Sequence, residues 1–220
     1  MELSNRTNSG TSFLGKYIEL VNDVDFNNIK SYEKADRTDF GDVNNNGIVE
    51  SLRTELTTGE GFPCIGKMES KAFAGNFLGD NCEIKKIYIN RLEDYQALFG
   101  YNKGTIKEVN INGQIKGLNY VGSICGSNYG TIESCKNNDT TVTGTIVGAY
   151  SSSNRNWSFS WVGGIVGKNT NDATVINCCN KGKVNIDLGT NTSGNSYNGG
   201  IAGGNLPNAK ISNCYNISDL

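Results

Sequence analysis

The residues best placed to do chemistry are the oxygen donors of Asp42-Val43-Asn44-Asn45-Asn46-Gly47. Asp42, Asn44 and Asn46 occupy positions 1, 3 and 5 of a calcium loop, Gly47 the sharp sixth position, and Glu50 the ninth. Position 12 should be a bidentate acid, and it is Arg53. An asparagine-rich β-turn accounts for the same residues, so a Ca2+ site and a plain turn both stay open. A second cluster is Arg155, Trp157 and Phe159, beside Trp161. Aromatics with an arginine on a protruding loop suit stacking on sugar rings or anchoring a protein partner. The plainer reading has Phe159 and Trp161 alternating inward along a strand while Trp157 caps a hairpin.

Other chemistry is excluded or thin. The chain has no histidine, which removes Ser-His and Cys-His nucleophile pairs and histidine-ligated metals. Its seven cysteines, at 64, 82, 125, 135, 178, 179 and 214, are odd in number and show no CxxC spacing, against a disulfide framework or a zinc site. Cys178 and Cys179 must point to opposite faces of a strand. Free thiols acting as small hydrophobes are the expected state. Glycoside cleavage needs paired carboxylates. The acids here (Asp94, Glu108, Glu133, Asp139, Asp172, Asp187 and Asp219) fall at different places in their surroundings. Asp23 and Asp25 share one strand face at the start of the fold. No catalytic residue is assigned, and the chain is expected not to be an enzyme.

These residues must be carried by many short strands. Among 220 residues there are 28 glycines and only 2 prolines, with abundant Asn, Ser and Thr, a mixture that suits tight turns. The 36% hydrophobic content is low for one deep core and enough for a thin, repetitive one. A net charge of −2 with interspersed signs gives no basic footprint for nucleic acid and no polybasic membrane patch. No apolar run approaches the ~20 residues that span a bilayer. Met1 to Gly10 lacks the apolar core of a signal peptide.

Four segments repeat: Leu98-Phe-Gly-Tyr-Asn102, Ile124-Cys-Gly-Ser-Asn128, Ile165-Val-Gly-Lys-Asn169 and Ile201-Ala-Gly-Gly-Asn205. Tyr120, Trp161 and Tyr197 stand four places before the isoleucine in three of them, and Asp94 holds that place in the first. A second element follows in Ile106 to Val109, Ile132 to Cys135, Val175 to Cys178 and Ile211 to Cys214, with Asn137, Asn180 and Asn216 two residues past each cysteine. A third piece centres on Ile115, Val142 and Val184. The intervals of 26, 41 and 36 residues contain insertions near Ala149–Ser160 and Asp187–Ser196, which would project on one side. Stacked repeats would place Val109, Cys135, Cys178 and Cys214 in one inward column. Gly100, Gly126, Gly167 and Gly203 would mark a corner with unusual backbone angles. Asn102, Asn128, Asn169 and Asn205 would form an amide ladder.

Leu98-Phe-Gly-Tyr-Asn, Trp161-Val-Gly-Gly-Ile-Val-Gly-Lys-Asn and Ile211-Ser-Asn-Cys resemble the GLUG-motif repeats of bacterial cell-surface and secreted proteins, as in streptococcal IgA-specific metallopeptidases. Tyr17 to Phe26, Phe62 to Gly66, Phe73 to Asn81 and Ile84 to Ile89 look like the lead-in to such repeats. Leu78 stands where that lead-in has an acid, and the first repeat lacks the leading aromatic. The resemblance covers roughly 14–220. It implies an all-β fold, a right-handed parallel β-helix (β-solenoid) with loop insertions at the corners, located outside the cell or at its surface, with signal and anchor not present in this chain.

The expected organisation is a start at 1–13 that is disordered or not native to the protein, N-terminal rungs at 14–93 with an excursion at about 28–61, and repeats at about 94–119, 120–160, 161–196 and 197–220. Three functions are open: an adhesive or binding module for a host glycan or extracellular protein, a structural stalk, and a carbohydrate-active enzyme. The first is favoured narrowly over the second. Other domains of a larger parent protein are expected; nucleic-acid binding and membrane insertion are not.

Overall fold

The computed structural model describes residues 2–26, 59–146, 159–188 and 195–218, with no side chain described at Phe159. One helix, α1 (Glu2–Asn8), precedes strands that are nearly all paired in parallel. The first sheet runs β1 (Tyr17–Glu19), β3 (Asn76–Leu78), β6 (Thr105–Lys107), β9 (Thr131–Glu133), β13 (Thr174–Ile176) and β18 (Lys210–Ser212). The second runs β2 (Val24–Asp25), β4 (Glu83–Asn90), β7 (Asn110–Gly117), β10 (Lys136–Thr145), β14 (Cys179–Asn180) and β19 (Tyr215–Asn216), and β15 (Val184–Asp187) also pairs with β10. A third holds β5 (Phe99–Asn102), β8 (Cys125–Asn128), β12 (Val166–Asn169) and β17 (Ala202–Asn205), and a fourth pairs β11 (Phe159–Gly163) with β16 (Asn195–Gly199).

Each repeat therefore visits the third, first and second sheets in the same order, and each strand pairs with its counterpart one repeat away. That is the order a β-helix requires. The short strands of the first sheet each contribute one inward apolar residue. Ile18, Phe77, Ile106, Ile132, Val175 and Ile211 stand in register, and the four central ones are buried. The expected third piece is also in register, with Val142 opposite both Ile115 and Val184.

Two details differ from the sequence reading. Residues 2–8, where disorder was one expectation, form a helix that docks on the first turns. Ser4 Oγ donates to Pro63 O at 2.7 Å, Asn8 Nδ2 donates to Cys64 O at 2.9 Å, and Leu3 packs against the core. The glycine column is not where the backbone turns left-handed. That conformation falls instead at Glu108, Ser134, Asn177 and Asn213, each one residue before the Val109, Cys135, Cys178 and Cys214 column. Such residues cost roughly 1–3 kcal/mol unless context fixes them, and Asn tolerates them best. The glycines are needed for space: a Cβ on Gly126 would lie 2.7 Å from Tyr120 O and 2.8 Å from Gly100 O.

The cysteine column is inward, and all seven cysteines are free thiols. Sulfur does more there than fill volume. Cys135, Cys178 and Cys214 place Sγ 3.2–3.3 Å from the carbonyl two residues back, where the left-handed residue has bent the chain. Burial also pushes the Cys64 thiol up to about 12 from its ordinary value near 9.0. The folded state thus holds a proton that the unfolded chain releases above pH 9, so stability is complete below that value and falls as pH rises towards 12. Comparing wild type with Cys64→Ala by denaturant titration, the wild type should lose about 1.4 kcal/mol more per pH unit above pH 9. Parallel curves would show that Cys64 ionises in the native state.

Both asparagine sets are continuous ladders. Asn102 donates to Asn128 at 2.8 Å, Asn128 to Asn169 at 2.9 Å, and Asn169 to Asn205 at 2.9 Å. In the second ladder Asn137 donates to Asn180 and Asn180 to Asn216, both at 2.7 Å.

Candidate functional site

The backbone corner that precedes the third sheet carries aromatic side chains outward, and stacking of the repeats brings them together. Tyr95 and Tyr120 lie 5.1 Å apart and nearly parallel, Tyr120 and Trp161 6.0 Å apart, and Trp161 and Tyr197 5.4 Å apart edge to face. Tyr101 extends the band, 5.6 Å from Tyr95 and stacked at 4.8 Å on Tyr129. Lys168 Nζ sits 5.2 Å from the Tyr120 ring and 5.9 Å from that of Tyr129, at cation–π distance. Lys103 holds the same relation to Tyr101 at 5.7 Å and pairs with Glu69 at 3.2 Å.

Exposure grows along the band, from buried Tyr101 through half-buried Tyr95, Tyr120, Tyr129 and Trp161 to Tyr197 at 46%. Trp161 is partly a packing residue: a Cβ on Gly204 would overlap its ring. Burial raises the Tyr95, Tyr101 and Tyr120 hydroxyls above their ordinary range, so they remain neutral donors. A row of rings with lysines between them offers stacking faces and hydrogen-bond donors, which suits recognition of a polar ligand with flat apolar faces.

The sequence reading saw Tyr120, Trp161 and Tyr197 as a column but missed Tyr95, Tyr101, Tyr129 and Lys168. Asp94 holds the first repeat's aromatic place by count. Tyr95, one residue later, fills it in space, and both Tyr95 and Tyr120 have left-handed backbones. Tyr101 and Lys168 occupy the same variable position between the repeat's Gly and Asn, which is buried at Tyr101 and Ser127 and half-buried at Lys168, so the pattern alone did not mark it.

The proposed ligands Arg155 and Trp157 lie outside the described residues, and so do Asp42, Asn44, Asn46 and Glu50. Phe159 begins β11, paired with Asn195. The ends of the two insertions are nevertheless fixed. Before them Thr145 pairs with Asp187, and after them Phe159 pairs with Asn195 and Trp161 with Tyr197. Both insertions therefore leave and rejoin the fold at matched positions on adjacent repeats, and both rejoin two residues from the aromatic band.

The carboxylates are distributed differently. Asp23 pairs with Lys85 at 2.6 Å, Asp25 with Lys86 at 3.0 Å, Glu133 with Lys107 at 2.7 Å and Asp187 with Lys116 at 2.7 Å. Hydrogen bonds from the Glu83 amide and from Lys85 hold the Asp23 carboxyl below its usual range. Among the described residues no cluster of three Cys, Asp or Glu is placed to hold a metal ion. No helix of the described residues is long and apolar enough to cross a membrane.

No family model matches this chain, and no curated protein does. Among solved structures it is similar to the crystal structure of a "putative immunoglobulin A1 protease" from Bacteroides ovatus, with 14% identity and a TM-score of 0.47 over 98% of this chain and 72% of that one. The chain's own geometry establishes an all-β protein of stacked parallel sheets that displays one continuous aromatic and lysine face.

Proposed function

We propose that this chain is a right-handed parallel β-helix of GLUG-like repeats, exported to the bacterial surface or beyond it, that binds a host glycan or extracellular protein without transforming it. The observation that carries the reading is the aromatic band and its place beside the matched ends of both insertions. Tyr95, Tyr120, Tyr129 and Trp161 are only half-buried although repeats stack on both sides of them, which fits a contact surface better than a core. Asp23, Asp25, Glu133 and Asp187 fit the same reading, because each pairs with a lysine where hydrolysis would need carboxylates facing each other. Calcium at Asp42, Asn44, Asn46 and Glu50 is a separate proposal resting on oxygen spacing alone.

The test is retention of the purified chain on immobilised host glycans, mucin and matrix proteins, assayed also for released sugar. Retention without product is expected. Tyr197→Ala and Trp157→Ala should each weaken it by about tenfold or more, the usual loss for a central contact aromatic. Absence of retention on every surface would favour the structural stalk, and released sugar would favour the enzyme.

A further inference from the structure

The cleft between α1 and the Pro63 turn borders the first repeat and has its own chemistry. It encloses about 370 Å3, within the range of small-ligand sites. Its lining is mostly polar, from Asn5, Asn8 and Ser9 at the end of α1 and from Arg91 and Gln96, with Pro63 and Cys64 as its one apolar strip.

Arg91 is 9% exposed and Gln96 is 1% exposed. Arg91 pairs through Nη1 with Glu60 at 2.9 Å and donates through Nη2 to Gly61 O at 3.1 Å, while its Nε–H has no partner. Gln96 donates through Nε2 to Asp94 O at 2.9 Å, while its Oε1 has no partner. One cleft thus contains a buried donor and a buried acceptor, each left without the bond that such groups almost always make.

The charges cancel. Glu60 neutralises Arg91, and exposed Lys67 and Glu93 set opposite signs at the rim. An anion or a cation gains little there. The complement of one donor, one acceptor and an apolar strip is an uncharged secondary amide that ends in a methyl group. We propose that the cleft binds an N-acetylated amino sugar by its acetamido arm, the carbonyl accepting from Arg91 Nε–H, the N–H donating to Gln96 Oε1, and the methyl resting on Pro63 and Cys64. A peptide amide is chemically alike but continues on both sides, where this lining calls for a terminus. Both unpartnered atoms are buried from solvent in the free protein, so binding requires a side-chain adjustment at the cleft wall.

The experiment titrates the full chain with N-acetylglucosamine, following backbone amide NMR shifts, with glucose and N-acetylalanine methylamide in parallel. Saturable shifts at residues 5–9 and 64–67 are expected, with glucose at least about tenfold weaker, the loss of one net hydrogen bond. Gln96→Met should weaken N-acetylglucosamine by about the same factor because it removes the acceptor, and its unfolding temperature should fall slightly because the Nε2 bond to Asp94 O is lost as well. The proposal is overturned by no saturation on the order of 50 mM, by equal binding of glucose, by tighter binding of the methylamide, or by unchanged affinity in Gln96→Met. Should that variant unfold, the comparison of the two sugars on the unaltered protein still decides.

Discussion

Asn128→Leu should destabilise the protein by about 4 kcal/mol, enough to unfold a marginal domain. Asn128 is fully buried in the middle of the first amide ladder. Its Oδ1 accepts from Asn102 Nδ2 at 2.8 Å and from the Gly130 amide at 3.2 Å, and its Nδ2 donates to Asn169 at 2.9 Å and Gly130 O at 3.1 Å. Leucine has similar volume and no polar atom. It leaves the Asn169 oxygen and a turn N–H without partners and takes one of the two bonds of the Asn102 amide, at roughly 1–3 kcal/mol for each buried group. Asn205→Leu makes the matching change at the exposed end of the ladder, where only the bond from Asn169 and one to Ala209 O are lost. Its cost should stay near 1 kcal/mol. Urea denaturation of the two variants gives the comparison directly. Equal losses would show that the ladder contributes side-chain volume and not hydrogen bonding.

Gly126→Ala should cost about 3 kcal/mol or more through a different term. The added methyl would meet Tyr120 O at 2.7 Å, with Gly100 O and the Tyr95 carbonyl carbon at 2.8 Å. All three are backbone atoms, two of them in the preceding repeat, so relief requires parting adjacent strands and not merely turning a side chain. Overpacking of a tight interior costs typically 1–3 kcal/mol, and more where nothing can yield. Ser212→Ala, on an exposed position of β18, should remain within about 0.5 kcal/mol and serves as the control. A change below 1 kcal/mol in Gly126→Ala would mean the strands separate easily. The glycine column would then be a preference and not a requirement. The same measurement on Gly167→Ala should agree, since its Cβ would press on the Tyr120 carbonyl carbon at 2.5 Å.

The amino-acid sequence by itself determined which residues are equivalent. Repetition of Ile-x-Gly-x-Asn and of the Cys-x-Asn element placed Asn102, Asn128, Asn169 and Asn205 in one column and Val109, Cys135, Cys178 and Cys214 in another, because stacked repeats in register bring like positions together. It also excluded histidine chemistry outright. Tertiary structure decided what equivalence cannot show. Tyr101 and Tyr129 stack although they hold different places in their repeats, since the corner brings a strand residue of one turn beside a loop residue of the next. Glu108 and Ser134 take the left-handed turn that glycine was expected to supply, because the inward column must be reached there and the surrounding ladder fixes the backbone. The α1 cleft is formed by no repeat alone. Its donor and acceptor, Arg91 and Gln96, come beside Asn5 and Asn8 only when the helix docks across 60 residues of chain, a contact set by folding and not by any local pattern.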